Sequence, residues 1–232
     1  MKKPSVAVTG MGIVSSAGSG VASFSEALKS GDSGCTLCTE YPELAYPLVA
    51  ALFKDFDFEK SLAAFSDVPM PIIDRALKAA RRAPRSIQAS LIAALEAWQM
   101  AGLSSRAIDS SRIGLVIAGQ NLNQLYRYRL QQNLQYSTPR YALHFMDTDH
   151  VGVLSEVFDI HGEGFTIGGA SASGNMGLIH AKRLLEQGIL DVCLVVGPYA
   201  DLSPLELQAF YSIGALGGER FSQEQKKASR PF

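Results

Sequence analysis

The feature that most constrains the fold is an alternation of short apolar runs with longer segments of helical period. The apolar runs are rich in β-branched residues, and glycine follows several of them closely. Such alternation is typical of parallel strands that are joined by crossover helices. We therefore predict an α/β fold with strands at residues 5–9, 113–118, 165–167 and 191–196.

Helices are predicted where apolar residues recur every three or four positions. The helix at residues 86–101 rests on four apolar residues that share one face, Ile87, Leu91, Leu95 and Trp98. Three further helices are predicted, at residues 122–135, 149–158 and 172–187. Asp147 and Thr148 are candidate caps for the helix at 149–158, because short polar side chains accept hydrogen bonds from free N–H groups.

The chain shows no internal repeat and no low-complexity linker. Residues 31–71 hold four of the ten prolines and have no clear period, so they are expected to form a long excursion over the core. The simplest organisation is one domain over residues 1–232. The last residues stop abruptly without a capping signal, so the chain is expected to be a piece of a longer protein.

Composition excludes several classes of protein. Apolar residues make up 47% of the chain and charged residues 19%, which excludes disorder and collagen-like structure. No apolar run approaches the roughly 20 residues that cross a bilayer, and the start does not resemble a signal peptide. A net charge of -1 gives no field that would attract nucleic acid or an anionic membrane. A cytoplasmic protein without nucleic-acid or membrane partners is therefore expected.

The three cysteines, Cys35, Cys38 and Cys193, are too few for a disulfide framework. Cys35 and Cys38 have the spacing of half a zinc site, but no second pair completes four ligands. We expect two loop thiols, no metal site and no cofactor bound by the protein.

Basic residues are concentrated in one short stretch. Five fall within residues 75–85, namely Arg75, Lys78, Arg81, Arg82 and Arg85. A solvated helix face explains such a cluster, and so does a docking surface for an acidic partner. The residues alone leave both interpretations open.

The most informative stretch is residues 165–175, in which a predicted strand runs into small residues and then into a helix. Ser171 is thereby placed near a helix N-terminus, where free N–H groups receive an anionic or carbonyl oxygen. A simple N-cap is the alternative. The sequence disfavours a serine hydrolase, because Ser173 replaces the second glycine of the elbow motif and His180 lies about 14 Å along the same helix.

Several ordered motifs resemble β-ketoacyl-acyl-carrier-protein synthases. They are residues 6–16, 26–31, 33–34, 166–181 and 228–232, and together they span essentially the whole chain. The resemblance implies a thiolase-like fold of which this chain is the N-terminal half. It also implies that two catalytic histidines lie in a C-terminal half outside this chain, which a second segment or a second chain would supply. We expect the isolated half to leave an apolar surface exposed.

The resemblance also implies a function. Condensing members carry a cysteine where Ser171 stands, and nothing visible would ionise a serine hydroxyl. The sequence most resembles the serine-bearing, non-elongating synthases of polyketide β-branching, which decarboxylate malonyl-acyl carrier protein to acetyl-acyl carrier protein. Ser171 is then the candidate catalytic residue, within an oxyanion region that contains Gly169, Ala170, Ala172 and Ser173. The alternatives are a non-catalytic partner similar to a chain-length factor and an elongating synthase that uses Ser171.

The same resemblance implies the partners. The substrate would be carried on the phosphopantetheine of an acyl carrier protein, which would dock at Lys78, Arg81 and Arg82. In the family, the strand before the nucleophile pairs with its copy in a partner subunit. A homodimer or a heterodimer with a ketosynthase-like chain is therefore expected.

Overall fold

A computed structural model describes residues 5–44, 46–53, 55–136, 138–216 and 219–229. Arg230, Pro231 and Phe232, which belong to one of the family motifs, lie outside these residues. The strands are β1 (Val14–Ser15), β2 (Gly18–Ser19), β3 (Cys35–Cys38), β4 (Leu48–Ala51), β5 (Ile113–Ala118), β6 (Gly164–Ile167) and β7 (Val192–Val196). The α-helices are α1 (Val21–Ser30), α2 (Phe58–Ala63), α3 (Met70–Ala80), α4 (Arg85–Met100), α5 (Gln124–Gln131), α6 (Tyr141–His144), α7 (Asp149–Phe158), α8 (Ser173–Glu186) and α9 (Pro204–Ser212).

The chain divides into two compact units where the sequence indicated one. The larger unit comprises Met1–Gly12 and Asp57–Asp201, and the smaller unit comprises Ile13–Phe56 and Leu202–Phe232. The sequence carries no signal for this division, because the chain passes between the units without any stretch of linker-like composition.

The larger unit is built on a parallel three-stranded sheet in the order β6-β5-β7. Ala118 of β5 lies opposite Ile167 of β6, and Ile117 lies opposite Val196 of β7. Every residue of the central strand is buried, as expected for a strand that is covered on both faces. The predicted α/β class and the three strands of this sheet are confirmed.

The predicted strand at residues 5–9 is wrong. These residues have no regular secondary structure and their side chains are exposed, Val8 at 76%. Alternating apolar residues form a strand only when a neighbouring strand pairs with their backbone, and none of the described strands does so.

Helices cover the sheet and build the core. A Cβ added at Gly177 of α8 would lie within 4 Å of Ala118, Val116 and Val195, so α8 packs closely on β5 and β7. Helices α4 and α7 pack against each other and against the sheet. The predicted helices at α4, α7 and α8 are confirmed, whereas the segment 122–135 forms the shorter α5 followed by a 3-10 turn, Leu134–Tyr136.

The smaller unit contains two antiparallel pairs, β1 with β2 and β3 with β4. Its core is formed by Cys38, Tyr46, Leu48 and Leu207. The Tyr46 hydroxyl donates to the Leu207 carbonyl at 2.9 Å, and its ring stacks on Tyr211 at 3.6 Å between centroids. The predicted excursion at residues 31–71 contains β3, β4 and α2, which the sequence pattern did not indicate.

Apolar exposure in the larger unit occurs at its periphery. The outer edge of β6 has no partner strand among the described residues, and Leu178 and Ile179 on α8 are 56% and 43% exposed. The central strand β5 is buried throughout, so the exposed apolar side chains lie on the elements around it. None of the helices in the described residues combines the length and the hydropathy that a bilayer crossing requires.

Candidate active site at the end of strand β6

Ser171 lies at a tight junction between β6 and α8. The strand ends at Ile167, a 3-10 turn spans Ala170–Ala172, and α8 begins at Ser173. Ala170 has a φ of 47°, in the left-handed region that costs a residue with a Cβ about 1 kcal/mol or more. This turn leaves Ser171 exposed at the carboxyl edge of the sheet.

The Ser173 side chain stabilises this turn. Its hydroxyl accepts a hydrogen bond from the Gly169 N–H at 2.9 Å and donates one to the Ala170 carbonyl at 2.8 Å. Ser173 is 7% exposed, whereas Gly169, Ala170 and Ala172 are exposed. The hydroxyl of Ser173 is therefore engaged in holding the backbone of the predicted oxyanion region.

The turn presents free backbone donors beside Ser171. The hydrogen bond that closes the turn runs from the Ala172 N–H to the Gly169 carbonyl. The N–H groups of Ala170 and Ser171 precede that bond and have no partner within the turn. This arrangement can receive a developing negative charge on a carbonyl oxygen, because fixed N–H dipoles need no reorientation during the reaction.

Gln120 also lies at this junction and is not among the site residues predicted from the sequence. A Cβ added at Gly168 would lie 2.1 Å from Gln120 Oε1, so the carboxamide rests on the backbone that leads to Ser171. The sequence signal that could have identified Gln120 is its position two residues after β5. Adjacent parallel strands end at the same edge of a sheet, so a residue just after β5 can lie near the residues just after β6.

The four histidines contact groups other than Ser171. His144 Nδ1 lies 2.6 Å from Asp149 Oδ2, and His161 Nε2 lies 3.3 Å from Asp159 Oδ1. The ring of His180 meets Phe165 edge-on. None of the four histidines is predicted from the sequence to be a catalytic residue.

His150 belongs to a buried polar network. Its Nε2 lies 3.1 Å from Ser86 Oγ, which in turn donates to Asn123 Oδ1 at 2.6 Å. Burial lowers the pKa of His150 to about 4, so the ring is neutral near pH 7. Asn123 Nδ2 also donates to the His144 carbonyl at 2.9 Å, so this side chain links two parts of the buried network.

The sequence predicted Asp147 as a candidate cap of α7, but its side chain does not cap that helix. Its carboxylate accepts hydrogen bonds from the N–H groups of Asn121, at 2.6 Å, and Leu122, at 2.8 Å. Thr148 is the first flanking residue of α7, and its side chain makes no cap hydrogen bond either. Asp147 instead holds the loop that follows β5.

The residues predicted to dock a carrier protein surround the end of α3. Lys78, Arg81 and Arg82 are all exposed. Arg81 Nε also lies 2.9 Å from Glu59 Oε1 in an exposed ion pair. Lys78 and Arg82 therefore present the cluster's positive charge more openly than Arg81.

The cysteines lie on strands β3 and β7 rather than in the turn that contains Ser171. Cys193 lies on β7, and burial raises its pKa to about 12, which keeps it a neutral thiol. Cys35 and Cys38 lie on β3 rather than in the expected loop. Within the described residues, no group of three or more His, Cys, Asp or Glu side chains could hold a metal ion.

Among known proteins, the chain resembles polyketide enzymes. It is 35% identical over 234 residues to the polyketide biosynthesis malonyl-ACP decarboxylase PksF of Bacillus subtilis (strain 168). The alignment covers 99% of this chain and 53% of that protein. The chain thus spans about half the length of this relative.

Solved structures share the fold. A β-ketoacyl synthase from Burkholderia phymatum STM815 superposes with a TM-score of 0.75 at 21% identity, covering 100% of this chain and 54% of that one. The ishigamide ketosynthase/chain length factor superposes with a TM-score of 0.72 at 21% identity, covering 89% of this chain and 50% of that one. The sequence profile of "Beta-ketoacyl synthase, N-terminal domain" matches residues 3–232. The chain therefore belongs to the β-ketoacyl synthase family and corresponds to its N-terminal domain.

Proposed function

We propose that the protein containing this chain decarboxylates malonyl-acyl carrier protein to acetyl-acyl carrier protein in polyketide biosynthesis. The observation that carries the proposal is Ser171, a serine exposed at the junction of β6 and α8 where condensing synthases use a cysteine. The 35% identity to a malonyl-ACP decarboxylase supports the same reaction.

The reaction needs no covalent enzyme intermediate. The bond between the malonyl carboxylate and the adjacent CH2 group breaks, CO2 leaves, and the electron pair moves into an enolate of the thioester. A proton from water then adds to that carbon and gives the acetyl thioester, and the hydroxide that remains combines with the CO2 to give bicarbonate. The enolate oxygen is best received by the N–H groups of Ala170 and Ser171, which precede the closed turn.

Serine at position 171 favours decarboxylation over chain elongation. Elongation requires a nucleophile that accepts the acyl chain, and a serine hydroxyl is a weak one without an adjacent base. None of the histidines in the described residues is hydrogen-bonded to Ser171. The protein can therefore keep the oxyanion donors while losing the competing condensation.

In this proposal the malonyl group reaches the site on the phosphopantetheine of an acyl carrier protein. The carrier would dock on the exposed residues Lys78, Arg81 and Arg82, since acyl carrier proteins are acidic and positive charge steers an acidic partner. The protein itself binds no cofactor in this mechanism. A cytoplasmic location stays a prediction.

The proposal includes a dimer formed through the free edge of β6. An unpaired strand edge offers a row of backbone donors and acceptors to a second copy or to a ketosynthase-like chain. Sedimentation equilibrium of the full-length gene product should give twice the mass of one full-length polypeptide. A monomer at micromolar concentration would contradict a homodimer.

The deciding experiment supplies malonyl-loaded carrier protein to the full-length gene product and follows the mass of the carrier arm. We expect acetyl-carrier to form without any second protein. If turnover requires an added cysteine-bearing synthase, the chain acts as a partner similar to a chain-length factor, as the shared fold with a ketosynthase/chain length factor would allow.

A further inference from the structure

The loop after β5 is held rigidly beside the Ser171 turn. Asp147 binds the N–H groups of Asn121 and Leu122, and the Leu122 carbonyl accepts from the Asp201 N–H at 2.9 Å. Asn121 has a φ of 56°, a conformation that persists only when surrounding contacts hold it. These contacts place Gln120 without using its own side chain.

The Gln120 side chain is available for a ligand. It is exposed, like Gly168 and Ser171, and its Oε1 is the amide atom that faces Gly168. Its Nε2 lies farther from Gly168 and forms no hydrogen bond within the part of the chain that the structure describes. The Gln120 carboxamide thus lies against Gly168, three residues before Ser171, and its NH2 group is unengaged among the described residues.

We infer that the Gln120 carboxamide binds the free carboxylate of the carrier-bound malonyl group and thereby selects malonyl over acetyl carriers. The inference rests on the proposed function. A neutral donor suits a group that loses its charge as CO2 leaves. A cationic side chain would stabilise the charged substrate more than the transition state and would slow the reaction.

The isosteric variant Gln120→Glu tests this assignment. It keeps the size of the side chain but places a negative charge beside the malonyl carboxylate. We expect the dissociation constant for malonyl-carrier to rise about three- to tenfold, because the added carboxylate would lie beside the malonyl carboxylate and like charges repel. Acetyl-carrier has no such carboxylate, so its dissociation constant should change less than about twofold.

The measurement is a binding titration of the full-length gene product with carrier proteins whose malonyl or acetyl group is attached through an amide, which slows the chemistry. Gln187→Glu is the matched control. Gln187 is an exposed glutamine just after the far end of α8, about 20 Å along that helix from Ser171. It adds the same charge to the protein and should leave the preference for malonyl unchanged.

The inference would be overturned if Gln120→Glu raised the dissociation constants for malonyl- and acetyl-carrier equally, or raised neither of them. Melting temperature and circular dichroism establish that the variant is folded. The proposed function is tested separately by the wild-type protein, which must release CO2 from a thioester-linked malonyl-carrier. A wild-type protein that fails this assay contradicts the proposed function, whereas a malonyl preference that Gln120→Glu leaves intact contradicts only the role of Gln120.

Discussion

At the scale of single residues, two serines of the same turn have different tasks. Ser171 is exposed and lies beside free N–H groups, whereas Ser173 is buried and hydrogen-bonded at both its donor and its acceptor positions. The turn contains Ala170 in a left-handed conformation, so its shape depends on the contacts that Ser173 supplies.

We predict that alanine at these two positions affects the free energy of unfolding to different extents. Ser171→Ala should leave measurable decarboxylation, because the backbone donors survive, and should change the free energy of unfolding by less than about 0.5 kcal/mol. Ser173→Ala should lower the free energy of unfolding by about 1–2 kcal/mol, because it removes two hydrogen bonds and orphans the Gly169 N–H. Urea unfolding and turnover of malonyl-carrier measure both. Complete loss of turnover in folded Ser171→Ala would assign the hydroxyl a covalent or proton-transfer role.

His150 gives stability a pH dependence with a defined sign. Its folded pKa is about 4, below the unfolded value of 6.5, because burial disfavours the charged ring. Well above pH 6.5 the ring is neutral in both the folded and the unfolded state, so it does not change the free energy of unfolding. As the pH falls from 6.5 towards 4, only the unfolded chain takes up the proton, so the free energy of unfolding decreases.

We predict that this decrease reaches about 3 kcal/mol at full extent, since each pKa unit corresponds to about 1.4 kcal/mol. His150→Gln should remove the His150 contribution between about pH 5 and 7 and leave the opposite contribution of Asp201, whose pKa burial raises to about 6. The control is His161→Gln, because His161 is exposed. Denaturant titrations at several pH values measure the slope, and an unchanged slope in His150→Gln would refute the assignment.

At the scale of elements, α4 is the helix on which the N-terminal segment packs. A Cβ added at Gly10 would lie 2.1 Å from the Ala97 carbonyl oxygen, and one at Gly12 would lie 1.9 Å from that of Ala93. The two glycines therefore let the segment contact the helix backbone directly. This packing is the physical reason for the glycines of the first family motif.

We predict that Gly12→Ala lowers the free energy of unfolding by about 1–3 kcal/mol, the usual cost of forcing atoms into a filled space. Gly152→Ala is the matched control. Gly152 lies inside α7, and a Cβ there would meet nothing within 4 Å. Alanine at that position should raise the free energy of unfolding by about 0.5–1 kcal/mol, because it reduces the backbone entropy of the unfolded chain. Equal destabilisation by both changes would argue against close packing at Gly12.

At the scale of the whole molecule, a net charge of -1 hides an uneven distribution. The exposed Lys78 and Arg82 form a local positive surface at the end of α3. Such a surface acts on encounter and docking of an acidic partner more than on folding, since exposed charges are screened by salt and contribute little to stability.

We predict that Lys78→Glu and Arg82→Glu each raise the KM for malonyl-carrier about 3- to 10-fold at low salt, and change the KM for a small malonyl thioester much less. Arg106→Glu, a reversal at an exposed arginine outside the cluster, is the control. Arg81 is less suitable, because its reversal also breaks the ion pair with Glu59. Equal effects on both substrates would leave a solvated helix face as the explanation.

The sequence by itself determined the α/β class, the strands of the sheet, the helices α4, α7 and α8, and the position of Ser171. Periodicity and glycine placement are local properties, and they report local structure directly. The family motifs extended this to the fold of the β-ketoacyl synthases.

Only the tertiary structure decided that residues 5–9 are not a strand, that Asp147 binds a loop rather than a helix, and that Gln120 lies against Gly168, three residues before Ser171. Each depends on contacts between residues distant in sequence. A strand requires a paired neighbour, and a side chain such as Gln120 acquires its role from whichever element ends at the same edge of the sheet. No local pattern encodes such a meeting, because it is set by the register of β5 against β6.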